Sequence, residues 1–138
     1  MTAQPEQFPF VQRNPSAGAA SLAPVLPITL QAARVVQVAG LADTGAALNV
    51  LPYAVGVQLG FDWDSQTVPV QLTGNLAAVE ARVIVAAATV GSFAPVRLAF
   101  AWAKSDAVPV LLGQVNFFLE FEVCFFRARG IFEVRPKP

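Results

Sequence analysis

The sequence predicts an all-β domain. Turn-forming residues interrupt apolar stretches roughly every ten residues, the spacing of a sandwich or barrel. Between them the chain alternates apolar and polar residues, as in Val79, Ala81 and Val83, or forms short apolar runs such as Val110-Leu111-Leu112. Helical spacing is confined to two short stretches, near Pro52 and near Val115.

Residues 1–24 form an N-terminal arm, partly flexible and rich in Pro, Gln, Ala and Ser. Asn14-Pro15-Ser16-Ala17-Gly18 reads as a loop. Phe8, Phe10 and Val11 alternate weakly and fit either an edge strand or a mobile arm. The domain proper spans residues 25–135. Val25 to Gln31 is its first strand, with Pro27 suggesting an edge position because proline cannot donate to a ladder. A turn near Ala32-Ala33 returns the chain as Arg34 to Ala42 and delivers Asp43 at a strand end. Residues 46–51 leave in extended form, and Pro52 to Gly60 holds one helical turn, with Pro first and Gly closing it. Thr67 to Leu72 reads as a strand, Thr73-Gly74-Asn75 as its turn, and Leu76 to Val85 as the returning strand. A second hairpin turns at Val90-Gly91-Ser92 into Pro95 to Trp102. After the Lys104-Ser105-Asp106 turn comes a short buried strand ending at Gly113. Gln114 to Glu122 reads as a short helix, although Phe117, Leu119, Phe121 and Val123 also alternate as a strand would. A final hairpin joins Val123–Phe126 to Ile131–Val134, and residues 136–138 are a solvated tail.

Composition excludes several kinds of chemistry. The 138 residues suffice for a single core without metals or disulfides. The chain is 55% hydrophobic and 13% charged, so it folds, and it carries enough apolar surface to favour an oligomer. Nine basic and nine acidic residues cancel without a basic run, which speaks against nucleic-acid binding. With no histidine, Ser-His and Cys-His nucleophiles and His-based metal sites are ruled out. The single cysteine, Cys124, builds neither a disulfide nor a zinc site and reads as a small buried hydrophobe among Val123, Phe125 and Phe126. No apolar run is long enough to span a bilayer, and Met1 to Glu6 carries no leader pattern, so the expected setting is cytoplasmic, away from membranes. No metal and no cofactor are expected.

The stretch that stands out is Leu41-Ala42-Asp43-Thr44-Gly45-Ala46, where one carboxylate lies inside an apolar block. Asp-Thr-Gly is by itself an ordinary turn, with Asp bonding the backbone ahead and Gly accepting positive φ. A solvated turn has no need of apolar flanks. Apolar-apolar-Asp-Thr-Gly-Ala followed by Val50-Leu51-Pro52 resembles the active-site loop of the retropepsin-like aspartic proteases, the single-domain, homodimeric relatives of pepsin. Leu111-Leu112-Gly113, leading into Gln114 to Leu119, is similar to that family's second loop and short helix. Thr73-Gly74-Asn75 falls where the family has its flap, the hairpin over the cleft. The resemblance covers about residues 25–135 and implies a retropepsin-like barrel with one short helix near the C-terminus, forming a homodimer. The retroviral members often place acidic residues and an arginine where this chain has Ala47, Leu48 and Gln114. Both halves of that ion pair are missing together.

The resemblance also assigns roles. Asp43 becomes the catalytic carboxylate, Thr44 braces the loops, Gly45 admits the substrate backbone and Ala46 leaves room beside it. Leu72, Thr73, Gly74 and Asn75 become the flap, and Leu111, Leu112 and Gly113 the second loop. Peptide hydrolysis without a metal needs a base for water and an acid for the leaving nitrogen. Two adjacent carboxylates sharing one proton supply both. Asp62, Asp64 and Asp106 lie in polar turns, so the second carboxylate must be Asp43 of another copy, and activity requires the homodimer. The expected activity is an aspartic endopeptidase acting on extended, largely apolar protein or peptide segments. Two rival readings are a non-catalytic dimerisation or peptide-binding module of the same fold, and an unrelated β-barrel binder in which Asp-Thr-Gly is only a turn. The intact loop disfavours the first rival, and the Leu-Leu-Gly match disfavours the second.

Overall fold

The computed structural model describes residues 3–138. In chain order the strands are β1 (Glu6–Pro9), β2 (Val11–Gln12), β3 (Leu22–Ala23), β4 (Val25–Gln31), β5 (Val35–Ala42) and β6 (Asn49–Leu51). They continue as β7 (Ala81–Thr89), β8 (Val96–Ala103), β9 (Leu111–Leu112), β10 (Phe121–Phe126) and β11 (Ile131–Pro136). Helix α1 is Tyr53–Gln58 and α2 is Phe117–Glu120. No described helix is long and apolar enough to cross a membrane.

Six strands close a barrel in the order β4-β5-β9-β6-β8-β7. On β4, Leu26, Ile28 and Leu30 point inward as the period of two requires, and all are buried. Pro27 pairs with β5 on one flank, while β7 contacts only Thr29 to Gln31, so the missing N–H of proline lies beyond the β7 ladder. The short strands β6 and β9 join the long strand β8 in a wall with two apolar faces. Leu51, Phe100, Trp102 and Leu112 enter the main core. Their neighbours Val50, Ala101, Ala103 and Leu111 face a second apolar cluster on the other side. Along that wall β9 runs parallel to β5, and β6 runs parallel to β8.

Helix α1 seats on this frame through Trp102. The indole Nε1 donates to Tyr53 O at 3.0 Å, and a side chain at Gly56 would collide with the same ring. Pro52 stands at the N-cap, one position before the first helical residue. Asp106, an exposed turn residue, accepts from Ala54 N at 2.7 Å and so caps the helix from another loop. At the other end the Arg34 guanidinium donates to Val57 O and Gln58 O, both at 2.8 Å. Trp63 and Trp102 are buried, packed edge to face, and serve the core.

Several sequence expectations need correction. Residues 67–72 are not a strand: pairing shrinks to one antiparallel bridge, Pro69 with Arg82, closed by Val83 N to Val68 O and Val70 N to Ala81 O. Thr73-Gly74-Asn75 is no hairpin turn but the start of a 3-10 turn over Gly74–Leu76. The returning strand starts at Ala81, not Leu76, and runs on to Thr89. The predicted helix over residues 114–122 shrinks to Phe117–Glu120, and the alternating pattern wins from Phe121 onward as β10. Cys124 is exposed, because Phe121 and Val123 take the inner side of β10 and leave Glu122 and Cys124 outside. Of the two readings for Phe8, Phe10 and Val11, the edge strand forms. β1 pairs with β11, and both Phe8 and Phe10 pack on Phe132.

Candidate active site

Two loops are built against each other at one end of the barrel wall. β5 ends at Ala42, and the next amide, Asp43 N, donates to Leu112 O at 3.0 Å, extending the parallel pairing into the loop. The Asp43 side chain then turns back: its Oδ1 accepts from Gly45 N at 2.9 Å, while Ala46 N donates to Asp43 O at 3.1 Å. The local turn is therefore the Asx type that Asp and Gly favour. A Cβ at Gly45 would stand 3.2 Å from that carboxylate oxygen, so glycine keeps the space beside it open.

The second loop locks onto the first by backbone bonds. Gln114 N donates to Ala46 O and Val115 N to Ala47 O, each at 2.9 Å. Gly113 is buried so tightly that a side chain there would run into the carbonyls of Ala46 and Leu48. The main-core residue Leu112 needs a similar concession, since a Cβ on Gly40 would sit 2.9 Å from its side chain.

Asp43 is half-buried and borders two concavities. On one side a cleft of about 230 Å³ is floored by Ala46, Ala47, Leu48, Val50 and Leu111. Gln71, Leu72, Thr73, Gly74, Asn75 and Leu76 cover it from above. On the other side an open hollow of about 450 Å³ is lined by Phe10, Pro24, Leu41, Thr44, Phe125 and Arg127. The structure thus gathers Asp43, Gly45, Ala46, the whole 72–75 segment and Leu111 around one cleft. Thr44 faces the open hollow, whereas Leu112 and Gly113 lie behind the cleft as supports. A larger concavity of about 540 Å³ over β10 and β11 carries Cys124, but Glu122 and Arg135 there neutralise each other at 2.7 Å. It holds no carboxylate poised at a strand end, so its size does not make it the better candidate.

Three residues hold the site in ways the sequence did not reveal, although Gln114 stands out there as a departure from the family. Asn49 is fully buried; its Oδ1 accepts from Gly113 N at 2.8 Å, and its Nδ2 donates to Ala99 O and to Asn116 Oδ1. A lone amide within Leu48 to Leu51 was the available signal. Gln114 donates from Nε2 to Thr44 O at 2.7 Å, so the residue at the family's arginine position still ties the two loops together. Gln71 bonds within the segment that covers the cleft, to Leu72 O and Ala77 O.

A single-domain β-barrel with an Asp-Thr-Gly loop braced by a Leu-Leu-Gly loop under a covering segment defines an aspartic-protease fold of the retropepsin-like class. The family model for aspartyl proteases matches residues 29–115, and the chain belongs to that family. Among solved structures it is similar to a retropepsin-like aspartic protease from Rickettsia conorii, at TM-score 0.59 and 14% identity. That match covers 99% of this chain and 97% of the other. No curated protein matches the sequence.

Proposed function

We propose that the protein is a homodimeric aspartic endopeptidase in which Asp43 meets Asp43 of a second copy. The observation that carries this reading is the position of Asp43, between a covered cleft on one side and an open, partly aromatic face on the other. The cleft suits a substrate, and the open face suits a second subunit.

In such a pair the two carboxylates share one proton, because like charges at contact distance do not both ionise. The ionised member takes a proton from a water as that water attacks the peptide carbonyl, and the protonated member donates to the carbonyl oxygen. Collapse of the resulting diol returns protons to the leaving nitrogen and breaks the C–N bond. Gly45 N–H, already donating to Asp43 Oδ1, fixes the carboxylate plane before substrate arrives.

Substrate chemistry follows from the lining. Apart from Asp43 the cleft is aliphatic or uncharged, with Leu48, Val50, Leu72, Leu76 and Leu111 as its largest apolar members. An extended segment with aliphatic side chains fits it, each buried side chain contributing about 1.5–3 kcal/mol. The peptide backbone would add along the covering segment in the manner of strand addition.

The test is Asp43→Asn, assayed on an unfolded protein substrate and by sedimentation. We expect cleavage to disappear while the sedimenting species is unchanged. Cleavage at the wild-type rate by this variant would sink the proposal.

A further inference from the structure

We infer that Gln71 is a positioning residue that clasps the roof of the cleft into shape, an inference that rests on the peptidase reading of the site. The roof is rooted where Val83 N donates to Val68 O at 2.9 Å and Val70 N to Ala81 O at 3.1 Å. Past that root, one long-range backbone bond, Lys104 N to Glu80 O at 2.8 Å, ties the base of the returning arm. Between Gln71 and Val79 the backbone bonds among the described residues are local turns: Leu76 N to Thr73 O, Ala77 N to Gly74 O and Val79 N to Leu76 O. No strand ladder holds the two arms of the segment together.

A side chain takes the place of the ladder. Gln71 Nε2 donates to Leu72 O at 2.9 Å and to Ala77 O at 2.8 Å. A primary amide has two hydrogens, so one nitrogen satisfies both carbonyls and closes the loop across six residues. Gln71 is itself exposed, so its role is not packing. What it holds in place is the pair Leu72 and Leu76, which rest on the second apolar cluster with Leu48, Val50 and Leu111, across from Asp43. At the tip, Gly74 has φ +62°, and a Cβ there would meet nothing within 4 Å.

A roof already shaped spares the substrate the ordering of that loop, which otherwise weakens binding. The clasp therefore acts on KM more than on kcat. Gln71→Ala removes it, and Gln71→Glu keeps the length while replacing two donors by a carboxylate facing two carbonyls.

Hydrogen exchange on the free protein reads the clasp without any substrate. In both variants the amides of Leu76, Ala77 and Val79 are expected to exchange faster, with β4 and β5 unchanged. Peptidase kinetics read the consequence: KM rises about tenfold for the loss of two neutral hydrogen bonds, and any change in kcat is smaller. Unchanged exchange in this segment overturns the inference, as does a fall in kcat at constant KM. If the wild-type protein cleaves nothing, the peptidase reading and the role in binding fall together, and the exchange data decide the clasp alone.

Discussion

Gly113 N donates to Asn49 Oδ1 at 2.8 Å, joining the second loop to the strand that leaves the first. The bond is buried, and its acceptor belongs to a residue with no exposed surface. Asn49 Nδ2 continues the chain to Ala99 O on β8, and Asn116 accepts from Ala99 N while donating to Arg97 O. Two asparagines thus tie both loops to one barrel strand.

Asn49→Leu breaks this network. Gly113 N loses its partner in a buried site and Ala99 O in a partly buried one, and a buried orphan costs about 1–3 kcal/mol. We expect a loss of roughly 2–4 kcal/mol in urea unfolding. A loss below about 0.5 kcal/mol, the range of ordinary surface changes, would show that the network is incidental.

Gly56→Ala tests the seating of α1 separately from the site. Its new methyl meets the Trp102 indole, which is buried and donates to Tyr53 O. Overpacking of this kind costs about 1–3 kcal/mol. Tryptophan emission and the unfolding midpoint should both shift, while the residues around Asp43 are untouched. A variant as stable as the parent would mean the helix moves freely on Trp102.

The proposed dyad fixes the direction of the pH dependence. The active form of the pair holds one proton, and raising the pH removes it, so both members become bases and no acid remains. Activity is therefore expected to peak in acid and decline toward neutral pH. Since the chain contains no histidine, that decline has no imidazole contribution. A rate that grows steadily beyond about pH 8 would contradict a shared proton.

The β4–β5 hairpin was legible because its inward residues repeat every second position on both sides of the short Ala32-Ala33-Arg34 turn. The loops at Asp43 and at Gly113 were legible because Asp-Thr-Gly-Ala and Leu-Leu-Gly, in that order and at that spacing, resemble the two loops of the retropepsin-like family. What the sequence concealed depended on contacts between distant segments. Leu76 to Val85 alternates like a strand, yet Leu76 and Val79 are drawn into the cluster under the roof, and pairing with β8 begins only at Ala81. Residues 114–122 satisfy two periodicities at once, and the ladder with β11 decides for a strand from Phe121. Cys124 has apolar neighbours in sequence, but in a strand the next residue points to the opposite face, so neighbours did not report its burial. Asn49 and Gln71 act through partners on other segments or across a loop, which spacing alone does not reveal.

Mixing wild-type protein with excess Asp43→Asn measures the shared dyad most directly. If each site needs a carboxylate from both copies, mixed dimers are inactive, and activity falls as the square of the wild-type fraction. Activity that stays proportional to the amount of wild-type protein would show that one Asp43 suffices, contradicting a site divided between two subunits.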